Sequence, residues 1–432
     1  MALTDSEVVI VGGGPAGVMA GLLLARAGVE TLVLEKHGDF FRDFRGDTVH
    51  PSTMEILHEL GMLERFLARP HNRLNQAGLR VAGQEMAIGD LSHLSTPAPF
   101  IAMMPQWDFL DFLRDEAEAF PGFRLEMEAG VARMTERDGR IAGVELTDGR
   151  RVESRRLVIA ADGRDSIVRR DGLLPVTTLG APMDVFWFSV PKADEGGEAL
   201  RGVFETGRIL VLIDRRDYWQ CALVIPKGKA EAMRARGIES IRAQIEATAP
   251  ELGPLGDVLT DMNQLHLLAV ALDRLDRWHR PGLLAIGDAA HAMSPIGGIG
   301  INLAVQDAVA AANILAGPLA AGEGVDGLLA RVEKRRLFPT RVIQRGQKLA
   351  QDRIIGRLLE PGFKLERPPL LVRLLNRYPR LRRIPGRIIG LGVRREHVRS
   401  PMSPLPAGEG PGVGGSRLAP TLASRATRET HP

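Results

Sequence analysis

The clearest chemistry in this sequence is carried by one glycine-rich turn. Val8 to Val11 is an apolar run of strand type that leads straight into Gly12-Gly13-Gly14-Pro15-Ala16-Gly17, and a helix-like stretch to Ala27 follows. Gly12 permits a tight turn, Gly14 lets the backbone approach a pyrophosphate, and Gly17 lets helix and strand pack closely. The helix that opens at Pro15 and Ala16 turns its free N–H groups toward negative oxygens. A second apolar run, Thr31 to Leu34, ends on Glu35 and Lys36. Glu35 stands eighteen residues after Gly17, where a carboxylate accepts hydrogen bonds from an adenosine ribose. Glycines alone would describe an ordinary turn; strand, glycines, helix, strand and acid in this order point to a bound nucleotide. The charge of Glu35 also disfavours a ligand with a 2'-phosphate.

Two later stretches extend the same site. Arg151 to Ala160 reads as a buried strand that returns to Ala161-Asp162-Gly163-Arg164-Asp165-Ser166, which places Asp162 near the first turn. Leu283 to Ile286 closes on Gly287-Asp288-Ala289-Ala290-His291, followed by Pro295 to Asn302 and a helix through Ile314. Asp288 is placed to accept from a sugar hydroxyl, and Gly298 lets the chain pass close to a flat ring. Backbone donors at Gly300, Ile301 and Asn302, near a helix start, could stabilise negative charge at one end of that ring. Arg42 or Arg45 could neutralise phosphates, and the amide of Gln106 at the start of another predicted helix could meet the nucleotide.

Composition narrows the class. The 432 residues carry 56 basic and 53 acidic side chains, a formal charge of +3 that does not by itself imply nucleic acid. Cys221 is the only cysteine, which excludes an intrachain disulfide or a thiolate cluster and suits an apolar filler. No dense His/acid group suggests a metal, and no Ser/His/Asp or Cys/His hydrolytic arrangement can be placed by spacing. The start lacks the features of a signal peptide, and no stretch of eighteen apolar residues is seen, so the expectation is a cytoplasmic protein without a membrane-spanning helix.

The elements that must position these residues divide the chain. The fold class expected is α/β, with a Rossmann-like nucleotide-binding domain interrupted by a mixed or antiparallel sheet on the substrate side and completed by C-terminal helices. Residues 1–72, 104–174 and 276–360 form the nucleotide unit with closing helices; 73–103 and 175–275 supply the substrate-side strands. A helical face from Met54 to Leu67, capped at Ser52, follows the first turn, with His50 before it as a contact or cap. The sheet of 175–275 is expected to have one covered face. Trp187, Phe204, Tyr218, Trp219 and Cys221 are its pocket candidates for an aromatic or polycyclic substrate, set against the plainer reading that each fills a core.

These motifs resemble those of the flavoprotein aromatic hydroxylases, the class A flavin-dependent monooxygenases, over roughly residues 5–360. The resemblance rests on Gly12-x-Gly14-x-x-Gly17 with Glu35, on Asp162-Gly163 with Ser166 and Arg169, and on Gly287-Asp288-Ala-Ala-His291-x-x-x-Pro295. It implies bound FAD, with Glu35 on the adenosine ribose and Asp288 on the ribityl or pyrophosphate side. Arg45 and Gln106 would be cofactor contacts, Gly298 to Asn302 would approach the pyrimidine end of the ring, and Asp162-Gly163 would serve both FAD and NAD(P)H. It further implies NADH or NADPH as transient reductant, O2 as co-substrate, and transfer of one oxygen atom to an aromatic or related lipophilic molecule. A reductase of a quinone-like or unsaturated substrate is the alternative enzyme, and a flavin-binding protein without turnover the alternative outside catalysis. No catalytic side chain stands out; His291 and Pro295 are weak candidates, His291 more simply as a residue that fixes its loop.

The last regions are distinct. Residues 361–399 hold eleven Arg or Lys and only two acids, Glu366 and Glu396, interleaved with leucine and isoleucine. Packing with a solvated arginine face is the preferred reading there, ahead of a peripheral membrane contact. Nucleic-acid binding is disfavoured because no recognition module accompanies the charge. Residues 400–432 are expected to be a flexible tail, and the assembly a monomer or homodimer.

Overall fold

The computed structural model describes residues 4–41, 48–192, 200–360 and 362–403. Arg42 and Arg45 fall outside them. Along the chain, β1 (Thr4–Val11), α1 (Pro15–Arg26) and β2 (Thr31–Leu34) form the first unit, followed by α2 (Pro51–Glu59). A hairpin, β3 (Gln76–Val81) and β4 (Gln84–Asp90), precedes α3 (Gln106–Ala117), β5 (Phe123–Glu126) and β6 (Arg151–Ala160). Then come β7 (Met183–Pro191), β8 (Leu200–Glu205), β9 (Arg208–Asp214), β10 (Tyr218–Pro226) and α4 (Ile238–Thr248). The chain returns through β11 (Leu283–Ala285), α5 (Gly300–Ala320) and α6 (Leu329–Ala350), and continues through α7 (Leu370–Arg377) and α8 (Arg383–Leu391).

The nucleotide sheet runs β11-β6-β1-β2-β5, all parallel. Val8, Val9 and Ile10 are fully buried because helices or strands cover both faces, as parallel strands require. Two antiparallel strands, Val131–Arg137 and Arg140–Leu146, fold back on β6. Gly12 adopts φ +106°, and a Cβ on Gly17 would collide with the Gly12 carbonyl oxygen, so α1 rests on the turn at backbone contact.

The second sheet runs from His266–Leu268 through β7-β10-β9-β8-β3-β4. It is antiparallel except where β3 pairs with β8 in parallel, Leu79 opposite Gly202. Both of its faces are covered, in contrast to the single covered face expected from sequence. Cys221 to Ile225 are consecutively buried: Cys221, Leu223 and Ile225 meet Ile238, Ile241 and Ile245 of α4, while Ala222 and Val224 meet the opposite cluster.

Two further expectations are corrected. The helical face of Met54 to Leu67 is two helices, since Gly61 at φ +71° ends the first and the second is Leu63–Leu67. His50 rather than Ser52 is the N-cap, with Pro51 in the first turn. Ile296–Ala320 is long and apolar enough to cross a membrane by length and composition, which the sequence reading did not register. It is the core helix of the fold, mostly buried between α1 and α6.

Replacing Gly17 by valine forces α1 off the turn, with an expected loss of about 1–3 kcal/mol or more. A chemical-denaturation midpoint equal to that of the unaltered protein would contradict this packing.

Candidate functional site

Three separated turns meet at the carboxyl ends of the parallel strands. A Cβ at Gly12 would lie 2.7 Å from the Asp162 Cα, and one at Gly287 would lie 2.9 Å from the Ala16 Cβ. The first motif is therefore packed closely against both the second and the third. Glu35 Oε2 accepts a 2.8 Å hydrogen bond from the Gly13 N–H, and Oε1 accepts from His37 N–H at 3.1 Å. The carboxylate is thereby aimed along the turn before any ligand arrives.

The backbone leaves room where a dinucleotide would need it. A Cβ at Gly13 would strike Glu35, whereas at Gly14, Gly163 and Gly300 it would meet no atom within 4 Å. Gly14 caps α1 without any side-chain hydrogen bond, and α5 likewise begins with no capping side chain. The first-turn N–H groups of both helices are donors in search of an acceptor. Pro15, Ala16 and Gly17 line the first of these ends, and Gly300, Ile301 and Asn302 form the second. Asp162 Oδ1 is buried without a hydrogen-bond partner, while Oδ2 accepts from Ile167 N–H at 2.8 Å. Burial raises its carboxyl above the usual range, and hydrogen bonds from Ser166 and Ile167 and the charge of Lys36 offset this only in part. Orphaned donors, an orphaned acceptor and open space beside glycine fit a phosphate- and sugar-bearing cofactor such as FAD.

The third motif is held in place by side chains from neighbouring elements. Arg169 donates to the Asp288 carbonyl at 2.8 Å, the Ala289 carbonyl at 2.9 Å and Asp273 Oδ1 at 2.6 Å. The Asp288 carboxylate stays open, 3.8 Å from Arg164. Asn302 does more than its backbone role suggested: Oδ1 accepts from His50 N–H at 2.8 Å and Thr53 Oγ at 2.7 Å, and Nδ2 donates to the Thr48 carbonyl at 3.2 Å. Thr48 Oγ donates in turn to the Gly298 carbonyl at 2.8 Å, so the Pro295–Asn302 loop is tied to the segment leading into α2. Pro295 is exposed and caps the short turn Ile296–Gly298. Gln106 is the first, half-buried residue of α3.

His291 is tied into a buried network that holds its turn. It is fully buried, and its Nε2 lies 2.6 Å from Asp307 Oδ2. The same oxygen accepts from Gly287 N–H at 3.1 Å, and Oδ1 accepts from Arg336 Nε at 2.8 Å. Burial alone would raise the Asp307 carboxyl, but the His291 ring and the Arg336 guanidinium outweigh it and hold it below its ordinary value. Asp307 and Arg336 were not singled out by sequence reasoning. The available signal was Asp307 as the only charged residue between Ile301 and Ile314.

The five pocket candidates separate by strand alternation. Trp187 and Phe204 pack in one cluster with Ile296, immediately after Pro295, and Tyr218 begins β10 on the same side as Ala222. Trp219 and Cys221 point to the other face, against the cluster that contains α4. They are thus turned away from Ile296 and its loop, and the Cys221 thiol is raised well above its usual range by burial.

A family model described as an FAD binding domain matches residues 5–346. The 6-methylpretetramide 4-monooxygenase of Streptomyces rimosus is 32% identical over 317 residues, covering 72% of this chain and 75% of that protein. The 6-hydroxy-3-succinoylpyridine 3-monooxygenase of Pseudomonas putida is 27% identical, covering 77% of this chain and 85% of its own. The rifampicin monooxygenase of Streptomyces venezuelae is 29% identical, and the match spans 70% of this chain but 62% of that longer relative. In structure, the anhydrotetracycline hydroxylase OxyS of Streptomyces rimosus superposes with TM-score 0.69 at 23% identity, over 91% of this chain and 77% of that one. The p-nitrophenol 4-monooxygenase of Pseudomonas putida gives 0.68 at 19%, over 89% and 97%. At those identities the two structures speak to the fold.

Two outcomes are expected of the buried network and its neighbour. Asp307→Ala leaves Arg336 buried without its carboxylate and should cost about 3–5 kcal/mol in denaturant unfolding; a loss below about 1 kcal/mol would contradict its tying role. His50 is fully buried, with Nδ1 2.8 Å from the Ile389 carbonyl and Nε2 unpartnered. Burial lowers its pKa from 6.5 to about 4, against a smaller opposite effect of the Ile389 bond. Between those values the unfolded chain binds a proton that the folded one does not, so stability falls as pH drops from 6.5 toward 4, by about 3 kcal/mol in full. His50→Gln should flatten that slope in unfolding curves measured across the window; an unchanged slope would assign it to other groups.

Proposed function

We propose that this chain, which belongs to the FAD binding domain family, places one oxygen atom of O2 on an aromatic or related cyclic small molecule as an FAD-dependent monooxygenase. NADH or NADPH is the reductant in this reading, and the cytoplasm its location. The observation that carries it is the meeting of the turns at Gly12, Asp162 and Gly287 beside an apolar sheet face that reaches the Pro295–Ile299 loop. The family and relatives such as the 6-methylpretetramide 4-monooxygenase support the oxidoreductase class.

The donor set fits FAD, which when bound supplies a ring that accepts hydride and activates O2. Every other part of the work belongs to the chain. The amino end of α1 with Gly14 would hold the pyrophosphate, and Glu35, already oriented by Gly13, would accept from the adenosine ribose. Asp288 would accept from the ribityl side, with Arg169 keeping its backbone in place. Gly298 to Asn302 would present N–H donors to the electron-rich end of the ring, and Asp162 with Gly163 would serve the pyrophosphate or the nicotinamide nucleotide. Arg45 and Gln106 would be further contacts.

The substrate side follows from the sheet. Trp187 and Phe204 form with Ile296 an apolar wall that excludes water, which a reactive oxygen species requires. Tyr218 would extend this wall. His291 positions the Gly287-to-Ala292 turn through Asp307 and moves no proton in this reading.

Turnover by FAD-loaded protein across an aromatic and quinone-like panel under labelled oxygen tests the reaction. A product gaining one labelled atom supports it; a reduced product without label assigns the protein to the reductases. Asp288→Ala should weaken FAD binding about tenfold or more in a flavin-fluorescence titration, since a sugar hydroxyl loses its acceptor. Equal affinity in the variant would remove Asp288 from the cofactor site.

A further inference from the structure

Among the described residues, the last two helices expose an apolar surface that the body of the fold does not use. Both rest on β4. A Cβ on Gly386 would collide with the Asp90 carbonyl, one on Gly390 would lie 2.8 Å from Leu94, and Ala87 N–H donates to Asn376 Oδ1 at 3.0 Å. Opposite that contact, Leu370, Leu374 and Tyr378 repeat at i, i+4 and i+8, with Leu371 beside them, and Ile384 and Ile388 repeat at i and i+4. Leu370 is 63% exposed, Leu371 64%, Ile384 59% and Ile388 48%. With Leu381 these account for seven of the fourteen large apolar side chains exposed among the described residues. The expectation that this segment buries its leucines and solvates its arginines is therefore only half met.

Charge decides what covers the surface. From Arg367 to Arg395 there are nine arginines and no acid. Arg373, Arg377, Arg380 and Arg387 are exposed, and no ion pair involving them is formed within the described residues. A second copy of this chain would set arginine against arginine across the same patch. An anionic bilayer satisfies both components, taking leucine and isoleucine into the acyl boundary while arginines reach the phosphates. We propose that α7 and α8 form a peripheral docking surface for anionic lipid bilayers. The segment also borders the substrate side, since Ile389 and Leu391 share an apolar cluster with Trp187. A lipophilic substrate dissolved in the bilayer would thus be concentrated beside the site.

Sedimentation of the full-length, FAD-loaded protein with vesicles tests this without reference to turnover, so its failure is separable from that of the proposed reaction. Binding to phosphatidylglycerol vesicles, weakened by salt and much reduced on phosphatidylcholine vesicles, is expected. Leu371→Glu with Ile388→Glu should lower partitioning about tenfold or more, with flavin absorbance unchanged. Arg373→Glu with Arg387→Glu, which leaves the apolar contacts in place, should lower it by at least about fivefold for each arginine. Wild-type protein remaining in the supernatant with phosphatidylglycerol would overturn the proposal. So would equal binding of either double variant, or a dimer in light scattering that Leu371→Glu dissociates, which would assign the face to self-association.

Discussion

The carboxylate of Asp307 is the constraint on which the third cofactor motif depends. On α5 it accepts from Gly287 N–H, pairs with His291 and receives Arg336 from α6. Arg336 also reaches Glu396 at 3.3 Å, and Arg335 meets the same carboxylate at 2.7 Å. One buried charge thus joins the turn after β11, the core helix, the closing helix and the chain beyond α8. A lone carboxylate at that depth would be costly; with three donors it is held ionised and gives the turn a single geometry.

That geometry matters because the rest of the site is backbone. Apart from Glu35, Asp162 and Asp288, the features suited to a dinucleotide are glycines without obstruction and helix ends without caps. Such a site has little side-chain chemistry of its own and depends on three turns held within contact distance. Arg169 and Asn302 serve the same end from outside, the first by donating to two carbonyls of the third motif, the second by clamping Gly298 to the segment before α2.

The substrate side is organised differently. Its sheet joins strands separated by more than a hundred residues, β3 with β8, and it presents two buried faces. Strand alternation sends Trp187 and Phe204 toward Ile296 after Pro295 and Trp219 and Cys221 toward α4. Aromatic composition made all five equal candidates; the register of β7 to β10 separated them.

The sequence alone determined the nucleotide unit, because glycine spacing, strand ends and an acid at the end of β2 are local requirements that leave little choice of residue type. The positions of β1, α1, β2 and α5 were legible for the same reason. Tertiary structure decided what depends on partners distant in the chain: that His291 meets Asp307, that His50 bonds the Ile389 carbonyl, and that a membrane-length apolar helix lies in the core. It also decided which side of α7 and α8 is covered, since an amphipathic pattern specifies a face but not what lies against it. Only packing on β4 shows that arginine and leucine share the open side.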